Sequence, residues 1–155
     1  MRLCFSIKVI TKFVMKMKSL LAFVSAFAVA ASLAVGAEED TPLAKEMQAM
    51  NKTLRALKKT ANDPAKKADN LAAVEKMKTN LAAAAKLEPA KTKDQPAAEK
   101  PAYLEKFKKE IAELEKAFDE LKAAIDKGEG EGISKSFEKL ADMKEKGHKD
   151  FAPDE

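Results

Sequence analysis

Cysteine, tryptophan and histidine are nearly missing from this chain: 155 residues include one Cys, no Trp and one His. A lone Cys4 allows no intrachain disulfide and no thiolate metal site, so stability must come from packing. Glycine is also scarce. Its only cluster, Gly128-Glu129-Gly130-Glu131-Gly132, has no phosphate-loop pattern. A Ser/His/Asp triad would have to be built on His148, and nothing around it in sequence presents a nucleophile. These absences exclude the common hydrolytic and nucleotide-binding classes, and the chain is not expected to be an enzyme.

Acidic residues are absent before Glu38, while five basic ones, Arg2, Lys8, Lys12, Lys16 and Lys18, precede it. The pI of about 9.0 comes from that segment, since residues 38–155 hold 24 basic and 25 acidic side chains, a net charge of −1. A nucleic-acid partner is therefore not expected. Residues 1–37 have the parts of a secretory signal: a basic region, an uncharged apolar run from Ser19 to Val35, and small residues at Val35-Gly36-Ala37. Cleavage after Ala37 is expected, with Met15 or Met17 as alternative starts and an uncleaved anchor as the competing reading. Cys4 precedes the apolar run, so it is not a lipoprotein cysteine. Residues 38–155 are then a periplasmic domain with no stable membrane insertion.

Within that domain the apolar residues follow helical spacing. Thr41-Pro42 reads as an N-cap followed by proline in the first turn, and Leu43, Met47, Met50, Leu54, Leu57 and Ala61 recur in steps of 4 and 3. Asn62-Asp63-Pro64 repeats the device and opens a second helix carrying Leu71, Val74, Met77, Leu81 and the run Ala82 to Ala85. Glu88 to Pro101, with three prolines, reads as a loop. Leu104, Phe107, Ile111, Leu114, Phe118, Leu121 and Ile125 mark a third helix, ended by the glycine cluster. Ile133, Phe137, Leu140, Lys144, His148 and Phe151 mark a fourth, stopped by Pro153. The expected fold is all-α, an antiparallel up-down-up-down four-helix bundle, with Leu54, Leu114, Phe118 and Leu121 as core seam far from the end where helix one begins and helix four finishes.

In such a bundle the start of helix one lies beside the end of helix four. Met47 and His148 each lie about five residues from the same end, or about 7 to 8 Å at 1.5 Å per residue. A thioether and an imidazole converging across a core form the axial pair of electron-transfer haem proteins. Taken singly, a methionine at a heptad position is ordinary core, and a histidine in a last turn ordinarily faces the helix dipole. Ala82 to Ala85 and Gly147 would leave room for a flat ligand, Leu43, Met50, Phe107 and Ile111 would wall it, and Lys144 would face a propionate.

The stretch from Leu43 through Met47 and Met50 to Leu54, the Ala-Val-Glu-Lys-Met-Lys segment around Met77, Phe107, and Leu140 with His148 eight residues on resemble the soluble cytochrome b562 family. The resemblance implies a periplasmic b-type cytochrome with one non-covalent haem b per chain, Met47 and His148 matching the axial ligands of the iron. Gly147 and Ile111 stand where that family has aromatic residues, and the loop before helix three differs. Covalent relatives need Cys at 144 and 147, where this chain has Lys and Gly, so the c-type variant is excluded. The expectation is a monomeric electron carrier serving redox partner proteins that the sequence does not name. Two alternatives stay open: a haem-free exported bundle acting as an interaction or stress protein, and a Met/His copper-binding protein.

Overall fold

The computed structural model describes residues 41–152, and the expected signal segment and Pro153 lie outside them. Four helices occupy this stretch: α1 (Pro42–Lys58), α2 (Lys67–Ala84), α3 (Lys100–Lys127) and α4 (Gly130–Phe151). Among the described residues there is no strand, and no helix is long and apolar enough to cross a membrane.

Local chemistry sets the boundaries. The Thr41 hydroxyl accepts from Ala44 N at 3.1 Å and Pro42 follows it, so α1 starts where one orphan donor is capped and another is absent. Asp63 caps Ala65 N at 2.9 Å, but Pro64–Lys66 forms a 3-10 turn before α2 begins, later than the proline alone indicates. The expected loop from Glu88 to Pro101 is more ordered than its prolines suggest, and α3 already begins inside it at Lys100. Ala90–Asp94 is a 3-10 turn, and Pro101 sits in the first turn of α3, where a missing N–H costs nothing. Of the clustered glycines only Gly128 breaks the chain, at φ 70°. Its N–H reaches Ile125 O at 3.1 Å and Glu129 N reaches Ala124 O at 3.0 Å, a Schellman closure, after which Gly130 and Gly132 are already inside α4.

One apolar core joins all four helices, making a four-helix bundle. Met77, Leu121, Ile133, Leu140 and Val74 are its fully buried centre. Close backbone packing joins α1 to α2, α2 to α3 and α3 to α4, whereas α1 and α4 stay apart on that scale. Polar side chains are buried beside this core as well, Asn70, Thr92 and Ser136 among the described residues. Asn70, 2% exposed, donates to Thr60 O at 2.8 Å and accepts from the Thr60 hydroxyl at 2.7 Å, so the α1–α2 corner has its buried amide satisfied.

Lysine–carboxylate pairs cross the surface between helices: Lys67 with Asp126 at 2.9 Å, Lys78 with Asp119 at 2.6 Å, Lys122 with Glu75, Lys139 with Glu120 at 2.6 Å and Lys146 with Glu110 at 2.9 Å. The lysine partner lowers the carboxyl pKa of Glu75 and of Asp126, and Asp119 raises that of Lys78. Exposed pairs of this kind contribute about 0–1 kcal/mol each, so they record the register of the helices more than they stabilise it.

Candidate functional site

The gap between α1 and α4 is a cavity of about 280 Å³, closed from behind by α3 and touched by Ala90 of the 3-10 turn. Its walls are mainly apolar, as small-molecule sites usually are. All seven residues singled out from sequence line it: Leu43, Met47 and Met50 from α1, Phe107 and Ile111 from α3, and Lys144 and His148 from α4. Helical spacing is the reason they converge. Steps of 4 and 3 hold one face of each helix toward the same space.

Their environments differ. Leu43, Met50, Phe107 and Ile111 are buried, Met47 is half-buried, and Lys144 and His148 are exposed at the rim. Neither nitrogen of the His148 ring has a hydrogen-bond partner among the described residues, while its carbonyl accepts from Ala152 N at 3.0 Å. Lys144 Nζ reaches Asn51 Oδ1 at 3.5 Å, the outer limit of a hydrogen bond, and stands as an exposed cation at the opening.

The last turn of α4 is fixed by contacts to the start of α3. Phe151 packs edge-on against Phe107, with ring centres 5.2 Å apart, and lies 5.3 Å from Tyr103. The Tyr103 hydroxyl donates to Asp150 O at 3.2 Å, and burial raises the Tyr103 pKa, with Asp150 and Asp94 adding to it. Lys106 pairs with Asp150 at 2.9 Å and stands over the Phe151 ring. This hydrogen-bonded lysine holds the Asp150 carboxyl below its ordinary pKa. The pair therefore contributes fully above the ordinary carboxylate pKa, and its contribution fades as pH falls through the lowered one. Lys146, its pKa raised by the Glu110 carboxylate 2.9 Å away, ties the same turn to α3.

Two expectations are corrected. Ala82 to Ala85 do not line the cavity: Ala84 is fully buried in the core and the run belongs to α2, which contributes no wall. Distance from the bundle end speaks to height along the helix and says nothing of the face a residue occupies. Leu54, Leu114 and Phe118, read as seam remote from the site, line the cavity, and only Leu121 of that set lies away from it. The cavity runs deeper along α1 and α3 than the spacing of the candidate pair suggested. Met143, Leu140 and Phe151 also line it without having been singled out, and the α4 periodicity that contains Leu140 and Phe151 was the available signal.

A family model described as Cytochrome b562 matches residues 42–152, the span of the four helices. The chain belongs to the cytochrome b562 family. No curated protein and no solved structure gave a match.

Gly147 precedes His148 and also lines the cavity, and the structure shows what it does not do. A Cβ built there meets nothing within 4 Å, so no neighbouring side chain requires glycine. Gly147→Ala is expected to stabilise the ligand-free protein by about 0.5–1 kcal/mol through helix propensity alone. Urea denaturation checks this, and a loss of stability would mean that the methyl group is resisted.

Proposed function

We propose that this chain is an exported b-type cytochrome that carries electrons through one non-covalently held haem b, with Met47 and His148 as axial ligands. The observation that carries the reading is a thioether and an imidazole, on two helices that stand apart, lining one apolar cavity in a member of the cytochrome b562 family. The same reading takes the bundle as antiparallel, up-down-up-down, and the ion pairs of three helices support that course. Along α2, Lys67, Glu75 and Lys78 meet Asp126, Lys122 and Asp119, while along α4, Lys139, Lys146 and Asp150 meet Glu120, Glu110 and Lys106. Both series run in opposite senses.

The donor set fits haem iron. Met143 also lines the cavity but belongs to the same helix as His148, and Met50 is buried a turn deeper in the core, so Met47 is the thioether able to approach from the other side. Haem bound there supplies a reversible one-electron iron couple. The protein does the rest. With haem bound, the Met47 sulfur would favour the ferrous state and raise the potential, the His148 ring would hold the iron from α4, and Phe107, Ile111, Leu43 and Met50 would keep water away from it. Lys144 offsets propionate charge at the rim. No substrate is transformed, so the protein is a carrier and not an enzyme.

Titration of the purified apoprotein with haem tests this. Uptake should saturate at one equivalent, and because the ligand favours the folded state, about 100-fold excess over Kd should add about 2.7 kcal/mol of stability. No uptake would favour the haem-free bundle, and preferential uptake of cuprous ion the copper reading. The proposed setting is the periplasm, with residues 1–37 removed on export and a monomer exchanging electrons with protein partners. An intact mass beginning at Glu38 supports it, and recovery of the uncut chain with membranes contradicts it.

A further inference from the structure

Charge is distributed unevenly among the four helices. α3 carries seven basic and seven acidic residues and α4 five of each, so both are neutral, and α2 has an excess of one cation. α1 has Lys45, Lys52, Arg55 and Lys58 against Glu46 alone, and Lys59 follows as its C-cap. Lys45, Gln48, Lys52, Arg55 and Lys59 recur in steps of 3, 4, 3 and 4, one face of the helix. The four cations of that face are exposed, and none forms an ion pair among the described residues. The face adjoins the cavity directly, because Gln48 and Asn51 line it and Lys144 reaches Asn51 from the other rim.

We infer that this basic face of α1, Lys45, Lys52, Arg55 and Lys59, is the docking surface for an acidic patch on the protein that exchanges electrons at the neighbouring cavity. The inference rests on the electron-carrier reading above. Unpaired cations cost an acidic partner little desolvation of existing ion pairs and steer its approach to the cavity mouth, where a bound redox group would be nearest to it. The face has no exposed aromatic or large aliphatic residue among its five positions, so insertion into a lipid surface has nothing to drive it.

The test uses the haem-loaded exported protein and two probes. Ferricyanide, a trivalent anion, is the first. The net charge of −1 repels it, so a rate set by overall charge rises with salt, whereas a rate set by the α1 face falls. A fall of roughly threefold or more is expected as ionic strength goes from about 0.01 M to about 0.15 M, where the Debye length shortens from about 30 Å to about 8 Å. The triple variant Lys52→Glu, Arg55→Glu, Lys59→Glu should reverse that dependence. Lys108→Glu, Lys109→Glu, Lys116→Glu changes net charge equally on exposed positions of α3 away from the cavity and should keep the fall. The second probe, a decaglutamate peptide, needs no haem: its amide-shift footprint on the isotope-labelled protein should cover Lys45 to Lys59 and vanish in the α1 variant only. A footprint spread over α3 and α4, equal effects of the two triple variants, or tighter association with phosphatidylglycerol vesicles than with the peptide would overturn the inference. If the protein takes up no haem, the electron-carrier reading fails by that result alone, and the peptide footprint still decides whether the face binds acidic protein.

Discussion

His148→Ala is expected to abolish tight haem binding while leaving the helical fold intact. The ring is exposed at the rim and makes no side-chain hydrogen bond to the described residues, so its removal opens no core cavity and leaves no buried polar group unpaired. Loss of the only imidazole in the chain should weaken haem by more than the roughly 10–100-fold typical of losing an outer-sphere partner. Met47→Ala is expected to behave differently. It retains some haem through His148, but the iron changes spin state and its potential falls, because the thioether that favoured the ferrous form is gone. Haem titrations with optical spectra of both oxidation states distinguish the two variants, and identical binding by both would remove the axial assignment.

Leu121→Ala should destabilise the bundle by about 3–5 kcal/mol, a large part of the 5–15 kcal/mol that a domain of this kind possesses. Leu121 is 0% exposed, sits in the last third of α3 and does not line the cavity. Truncation leaves a void that the packed helices fill poorly, with little direct effect on haem affinity in the fraction that remains folded. Phe118→Ala, by contrast, should lose both stability and haem affinity, since that ring is buried and faces the cavity. Urea midpoints measured with and without haem separate core from site. A Leu121→Ala midpoint within error of wild type would show that the α3 face is wrongly assigned.

The helices could be read from the chain because their apolar steps of 3 and 4 are long and regular, and because Thr41, Asp63 and Gly128 are boundary residues whose chemistry is local. Less legible were the features that depend on azimuth. Ala82 to Ala85 and Met47 share a level near one end, but only the packing of α2 against both α1 and α3 turns the alanines away from the cavity. Leu54 and Phe118 have the spacing of ordinary seam residues, and nothing in that spacing reveals that α1 and α4 separate in front of them. The aromatic contact of Tyr103 with Phe151 joins residues 48 positions apart and has no local signal, yet it anchors the turn that carries His148. Pro101 failed as a stop signal for a simple reason: proline in a first turn starts a helix as readily as proline after a last turn ends one.

The most direct measurement is the absorption spectrum of the exported protein as isolated, oxidised and then reduced, with the haem extracted to identify its type. The account predicts non-covalent haem b, six-coordinate and low-spin with a Met/His pattern in the ferrous state. That signature should be lost in His148→Ala and altered in Met47→Ala. A purified wild-type protein with no haem absorption, and none after incubation with haem, would contradict it.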